Sequence, residues 1–448
     1  MTKARFIGDG TLQDPTGIDH STGRSRRLTC GAALALALGM NLWAGVAHAG
    51  GFYLDERSVR ASGRAYAGAA AIADDAGAQT YNPATLAALS GSQISGGGYL
   101  IMPRARVRND GSHMDVGPFT GIPVGGADDQ GFDPQPTGYL HLATPVTPDF
   151  WLGLSASVPF GLKDEYDADF FGRYDSTRSK VVVIELAPSI AWAATPQLSL
   201  GATLSVQRAS VTLVNAVPNP FDPESDGSFH VKGKDWSVGY ALGVLWRPAP
   251  DFSLGLSYRG AVDHRMTGSA ALDLGPMATT QDAAADLRLP DMITLGLAWD
   301  VSERLTLLAG VSRFGWDRFK EVRLELEDGS ELVSPENFRD TWSVSLGAEW
   351  KAHDRLTLRG GVQWDETPTV DAHRSTRIPD ADRLWLAVGA SYGLTENLWL
   401  DLSLSHMFAN TEPINRAIAY ADFATTIVTT GTTRARSNII GVGLSSKF

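Results

Sequence analysis

The feature that most constrains this chain is a unit that recurs along it: a short polar turn, then a segment in which apolar residues alternate with small ones. Thr147-Pro148-Asp149 precedes Phe150-Trp151-Leu152-Gly153-Leu154, and Thr195-Pro196-Gln197 precedes Leu198-Ser199-Leu200-Gly201. Pro250-Asp251 leads into Phe252-Ser253-Leu254-Gly255-Leu256, and Ser302-Glu303-Arg304 into Leu305-Thr306-Leu307. His353-Asp354-Arg355 and Thr395-Glu396-Asn397 lead in the same way into Leu356-Thr357-Leu358 and Leu398-Trp399-Leu400. A spacing of roughly 42 to 54 residues fits one turn, a strand out, a long connection and a strand back. The alternation is clean. Trp236, Val238, Tyr240, Leu242, Val244 and Trp246 share one face; Ser237, Gly239, Ala241 and Gly243 share the other. Leu384, Leu386, Val388, Ala390 and Tyr392 likewise oppose Ala387, Gly389, Ser391 and Gly393. In a membrane barrel the apolar face meets lipid and the small, polar face the lumen. A soluble sandwich would alternate as regularly.

Tryptophan separates the two. Trp151, Trp192, Trp246, Trp299, Trp350 and Trp399 each lie within a few residues of one of the six turns. The four that precede their turn, Trp192, Trp246, Trp299 and Trp350, lie on the apolar face. An aromatic girdle at one membrane interface predicts this placement, whereas a soluble core would scatter tryptophans along the strands. The six turns flank twelve strands, and segments near 92–108 and 433–448 add two. The expected fold is all-β, a 14-stranded antiparallel transmembrane β-barrel with both ends on the periplasmic side. The other connections are long and polar: roughly 109–135, 160–179, 215–230, 271–285, 327–339, 367–379 and 410–432. The final strand puts Ile440, Val442, Leu444, Ser446 and Phe448 on one face and ends on an outward aromatic. Beyond residues 1–49 no run of about 18 apolar residues exists, which excludes a helical inner-membrane transporter. The mean hydropathy of −0.09 is what alternating strands average to.

Residues 1–49 read as a secretory signal peptide. Arg24-Ser25-Arg26-Arg27 is followed by an apolar stretch, Leu28 to Val46, and then Ala47-His48-Ala49. Cleavage is expected after Ala49. The single cysteine, Cys30, falls inside the removed piece, so neither a disulfide framework nor thiolate chemistry is expected. Loss of five basic and three acidic residues takes the formal charge from −12 to −14. An acidic exported protein is a poor partner for nucleic acid.

Residues 50–90 do not alternate. They read as short helices rich in small residues, Ser58 to Ile72, then Asp74-Asp75-Ala76-Gly77, then Asn82-Pro83-Ala84. A barrel of fourteen strands has a bore too wide for its own side chains to fill. This segment is expected to plug it, leaving 91–448 as the barrel. Gly51-Phe52-Tyr53-Leu54-Asp55-Glu56, Gly63-Arg64-Ala65-Tyr66-Ala67-Gly68, Ala71-Ile72-Ala73-Asp74-Asp75-Ala76 and Asn82-Pro83-Ala84 resemble the N-terminal hatch of the FadL family of outer-membrane transporters. Pro159-Phe160-Gly161-Leu162, Gly172-Arg173-Tyr174, Leu289-Pro290-Asp291 and Ile378-Pro379-Asp380-Ala381-Asp382-Arg383-Leu384-Trp385 are similar to later parts of that family.

The resemblance implies passive uptake of a long hydrophobic molecule across the outer membrane of a Gram-negative bacterium. A long-chain fatty acid is the first reading, and an aromatic or aliphatic hydrocarbon the alternative. It implies capture at the extracellular loops, an internal pocket, and release sideways near the third strand when the hatch shifts. Hatch and gating residues would be Gly51, Phe52, Asp74, Asp75, Asn82, Pro83 and Ala84. Phe160, Leu162, Phe170 and Phe171, with Tyr166 and Tyr174, put aromatics in a loop that should face water. They are expected either to form a greasy capture surface or to pack against neighbouring loops. A carboxylate would be met by a cation. Asn215 and Ser334 stand where the family would suggest a base, and Arg208, Lys320 and Arg339 are the nearby alternatives. Asp380, Asp382 and Arg383 read as a lumenal or rim salt-bridge cluster. A monomeric barrel is expected, with the barrel-assembly machinery and outer-membrane lipid as its partners.

No enzymatic chemistry is expected, and neither a cofactor nor a metal. Gly389-Ala390-Ser391-Tyr392-Gly393 fits G-x-S-x-G, but the serine falls mid-strand, not at a strand-to-helix elbow. The nine histidines form no H-x-x-x-H pair. Asp74-Asp75 reads more readily as a pair of backbone acceptors than as metal ligands. A general aqueous porin and an outer-membrane lipid hydrolase are the rival classes.

Overall fold

A computed structural model describes residues 50–222, 224–420 and 424–448. The signal peptide and Cys30 lie outside the described residues. Fourteen antiparallel strands close into a barrel. The first three are Gln93–Asn109, Gln135–Pro145 and Phe150–Glu165; the next three are Arg178–Ala193, Leu198–Val217 and Gly227–Ala249. Four interrupted strands follow: Phe252–Arg259 with Val262–Asp273, Ala278–Leu289 with Met292–Ser302, Leu305–Phe314 with Glu321–Leu326, and Glu331–Pro335 with Thr341–His353. Leu356–Asp365, Arg383–Gly393, Leu398–Tyr420 and Thr425–Lys447 complete the set. Closure comes from the first and last strands, paired from Gln93 with Lys447 to Asn109 with Gly431. That seam satisfies the backbone amides and carbonyls of both terminal strands, which would have no partner in lipid.

The outward face carries the apolar residues that the alternation assigns to it. Trp236, Val238, Tyr240 and Leu242 are exposed on one strand, and Leu384, Leu386 and Val388 on another. Four of the six turn-proximal tryptophans, Trp192, Trp246, Trp299 and Trp350, are exposed outward. Trp151 and Trp399 are not part of that girdle. Trp151 is buried against Leu86 and Leu89, and the Trp399 ring lies 5.9 Å from the Arg60 guanidinium inside the bore. Both begin a strand one residue after an outward position, so period two turns them inward. A second aromatic level, Trp236, Trp342 and Trp364, sits toward the other end. Ten residues separate Trp236 from Trp246. At about 3.3 Å per residue and ~40° of tilt that is roughly 25 Å along the axis, the height of an outer-membrane apolar band.

Several of the long connections are shorter than the sequence indicates: 160–179 becomes 166–177, 215–230 becomes 218–226 and 327–339 becomes 327–330. Residues 410–432 are mostly strand, the ends of a hairpin of two 23-residue strands. The connection 271–285 shrinks to 274–277. Above the membrane a strand has no lipid to face, so its polar side chains mimic loop composition. The β-branched run Thr425-Thr426-Ile427-Val428-Thr429-Thr430 still favours extended backbone.

Candidate functional site

Residues 50–92 precede the first strand, and their residues 50–89 pack inside the bore. One four-residue helix, Val59–Ser62, and two 3-10 helices, Ala76–Thr80 and Pro83–Ala88, are each started by a polar cap. Asp75 accepts from the Gly77 amide at 2.7 Å and Asn82 from the Ala84 amide at 3.0 Å; Pro83 takes the first helical position, where no amide is needed. Asn82 also donates to Ala70 O at 2.7 Å and to Val244 O of the sixth strand at 3.0 Å. The pair Asp74-Asp75 divides its work. Asp74 meets Arg64 at 2.6 Å, and Asp75 lies 3.8 Å from Arg60. Arg60 and Arg64 reach the wall at Asp401 (3.0 Å) and Glu349 (2.7 Å). Burial pushes the Asp75 carboxyl up to about 6 and the Glu56 carboxyl up to about 8, the latter helped by neighbouring Asp55.

The lumenal glycines make this packing possible. Gly201 pairs with Gly243 across two strands, Gly255 with Gly296, and Gly347 with Gly361. A Cβ at Gly201, Gly255 or Gly361 would overlap Ala84, the Ala70 carbonyl or the Arg64 carbonyl. The wall is bare of side chains where the plug backbone runs against it.

At the start of the plug, Phe52 stands in an apolar chamber. Its ring is 4.9 Å from Trp316, 5.8 Å from Phe319 and 6.0 Å from Phe160, with Leu162, Phe338 and Ile378 in the same buried cluster. Gly51 anchors the turn before it, donating to Asp380 at 2.9 Å. The same stretch completes the wall. Strands two and three pair only from Leu140 with Ala156 to Pro145 with Trp151. Above Ala156 the third strand bulges at Val158-Pro159, where proline has no amide to give a neighbour. There Leu54 donates to Pro159 O at 2.8 Å and Gly161 donates to Phe52 O at 2.9 Å. Thus Phe52–Leu54 fills the chamber and stands in for the missing strand partner.

The residues proposed from sequence for ligand contact do not all converge. Phe160 and Leu162 line the chamber with Phe52. Phe170 and Phe171 form a separate cluster with Val107, Tyr166 and Ile414, and both are fully buried, so they offer no greasy surface to water. Arg208 points out of the barrel, its guanidinium 5.9 Å from the exposed Trp236 ring. Lys320 is exposed and donates to Phe338 O at 3.3 Å. Arg339 is half exposed and donates to Thr367 O at 3.1 Å. None of these three cations enters the chamber. A cation that sequence reading passed over is Arg377, next to chamber residue Ile378. It donates to Ser179 Oγ at 2.9 Å and to Asp175 O at 2.6 Å. Its sequence signal was adjacency to the Ile378-Pro379-Asp380 motif. Ser391 faces the bore mid-strand, bonded to Asp401 and accepting from Arg359 at 2.6 Å, which is a structural role.

Residues 40–448 match the family described as outer membrane protein transport protein (OMPP1/FadL/TodX). The chain belongs to this family. It is 29% identical to outer membrane protein P1 of Haemophilus influenzae, over 92% of this chain and 98% of that one. It is 27% identical to a long-chain fatty acid transport protein of Escherichia coli, over 83% and 90%. A crystal structure of a Pseudomonas aeruginosa FadL homologue superposes with a TM-score of 0.82 at 23% identity, covering 89% of this chain and all of that one. The toluene transporter TodX of Pseudomonas putida superposes at 0.67 with 17% identity, covering 89% and 99%. The protein is an outer-membrane β-barrel of a Gram-negative type.

Proposed function

We propose that this protein takes up long hydrophobic molecules passively, with residues 50–90 as a hatch and Phe52 as its stopper. The observation that carries the reading is the double role of Phe52–Leu54. A water-filled pore gives an apolar molecule no reason to enter. Burial is favourable by about 0.8 kcal/mol per CH₂, so sixteen carbons gain on the order of 10 kcal/mol in an apolar chamber. The difficulty is release. A ligand that occupies the chamber must displace the Phe52 ring, and displacement strips Phe52–Leu54 from the third strand. Filling the site and opening the wall between strands two and three are then one event, and the ligand leaves sideways toward lipid. Phe170 and Phe171 act as packing for the loops above, not as ligand contacts.

A long-chain fatty acid is the first ligand reading, with Arg377 at the chamber edge to meet its carboxylate. The names of the Escherichia coli and Pseudomonas relatives support both acid and hydrocarbon cargo. A neutral hydrocarbon is the second reading, favoured by Arg208, Lys320 and Arg339 all lying away from the chamber. The barrel acts as a monomer inserted by the assembly machinery. Native mass spectrometry of gently extracted protein tests the reading: a co-purified acyl or aromatic molecule is expected, and its mass identifies the class. Protein that carries no such molecule and fails to bind added palmitate or hexadecane would overturn it.

A further inference from the structure

Two charged patches lie on the outside of the barrel above its apolar band, and they are built differently. On the seventh to tenth strands each arginine has an acidic partner: Arg265 meets Asp286 at 3.1 Å and also Glu325, Arg318 meets Asp263 at 3.0 Å, and Arg323 meets Glu321 at 2.8 Å. That patch is neutralised by the chain itself. On the first and last strands the arrangement is the reverse. Register places Arg104 directly beside Arg436 and Arg106 directly beside Arg434, with Arg108 next above; all five are exposed. Like charges facing each other across a ladder are unfavourable. Among the described residues the one ion pair on this group is long, Arg106 to Asp128 at 3.9 Å.

The height of the cluster identifies what would relieve it. Below it on the same outward face are Leu100 beside Ile440 and Met102 beside Asn438. Leu100, Ile440 and Val442 are exposed to lipid, as is Phe408 on the adjoining strand. Arg436 lies twelve residues from Phe448, which ends the chain at the periplasmic side. At ~3.3 Å per residue and ~40° of tilt that is roughly 30 Å up the axis, just above a 25 Å apolar band. The guanidiniums therefore stand at the headgroup level of the outer leaflet, with an apolar wall for acyl chains beneath them. A guanidinium fork matches phosphate oxygens in pairs.

We propose that Arg104, Arg106, Arg434 and Arg436 form a binding site for the phosphorylated headgroup of an outer-leaflet glycolipid of the lipid A type. The site lies on the outer wall and does not depend on what the lumen transports.

The full chain in detergent micelles is titrated with bis-phosphorylated lipid A, with the same lipid lacking both phosphates, and with inorganic phosphate. Binding is counted by native mass spectrometry. The variant Arg104→Gln/Arg106→Gln/Arg434→Gln/Arg436→Gln is compared with Arg265→Gln/Arg318→Gln, and folding is checked by heat-modifiable migration. Four cations facing an anionic surface should change affinity at least about tenfold. The expected result is that loss of the phosphates, or the quadruple change, weakens lipid binding by roughly that factor, while the control pair leaves it unaltered. Equal binding of the two lipids by the unmodified protein overturns the proposal, as does unchanged binding by the quadruple variant. Saturation by inorganic phosphate at the same concentration also overturns it, by making the site one for free anion. If the quadruple variant does not fold, Arg436→Gln and Arg106→Gln singly are each expected to weaken binding about threefold, and the comparison of the two lipids decides regardless.

Discussion

Where the chamber wall runs from Ile378 to Arg377, apolar packing gives way to a cation held by Ser179 Oγ and Asp175 O. On the proposed reading, a carboxylate that enters head-up meets this guanidinium. A hydrogen bond to a charged group contributes about 1.5–3 kcal/mol. Arg377→Gln should therefore weaken binding of a long-chain carboxylate by roughly ten- to a hundredfold, and leave the matching alcohol or alkane unaffected, as measured by displacement of a fluorescent fatty acid. Equal losses for all three would make Arg377 a purely structural residue. Glu56 governs a different property. Its carboxyl is buried, with one oxygen unpartnered and the other 3.5 Å from the Tyr66 hydroxyl, and burial lifts it from 4.5 to about 8. The docked segment thus favours the protonated form. That contribution is complete below about pH 4.5 and is lost as the pH climbs through 8. Hydrogen exchange corrected for intrinsic rates should show residues 55–66 less protected at pH 8.5 than at pH 5, with the wall strands unchanged. Glu56→Gln should flatten the dependence. Neither residue was legible as such from sequence. Whether a charge is buried depends on what folds over it, and Tyr66 and Asp175 reach these groups through contacts that local pattern does not encode.

The strands themselves were legible because lipid imposes one rule on all of them: every second residue must be apolar. That rule located the six turns, the strand faces and the four outward tryptophans. It failed where lipid stops. The hairpin through 410–432 is strand above the membrane, and Phe170 was unreadable because its neighbour Tyr166 is fixed by a bond to Thr376 O from 210 residues away. The lumenal glycines were read only as small. Their use appears once the plug lies against them. Gly361 has no room for a Cβ because the Arg64 carbonyl occupies it. Gly361→Val should displace that turn of the plug and weaken the Arg64–Glu349 and Arg64–Asp74 pairs. The wall ladder from Leu346–Val362 to Ala348–Gly360 is backbone-paired and does not need the plug. The expected outcome is a barrel that keeps its far-ultraviolet circular dichroism and heat-modifiable migration but whose residues 50–90 are cut by added protease. A plug as resistant as in the unmodified protein would show that the fit at Gly361 is slack.

For the molecule as a whole, the central consequence of the geometry is that closure of the wall and occupancy of the chamber share one segment. The cylinder is sealed where strand one meets strand fourteen. At strands two and three it depends on Phe52–Leu54 instead, because Val158-Pro159 bends the third strand out of register and leaves its upper half short of a neighbour. Tyr53 and Phe160 form the antiparallel bridge at that junction, and residues directly opposite in such a bridge have Cα atoms about 4.5–5.5 Å apart, within the range of a disulfide. With the only native cysteine at position 30, a Tyr53→Cys/Phe160→Cys variant would have no competing thiol in residues 50–448. Oxidised, it should hold the segment against the third strand and stop uptake of a fluorescent long-chain probe into proteoliposomes. Reduced, the same molecules should recover uptake, which separates the tether from any loss caused by removing the two rings. Single-cysteine variants should respond to neither treatment. Uptake that continues with the disulfide formed would mean that the ligand leaves by another route, and that the N-terminal strand partner is a fixed part of the wall instead of its gate.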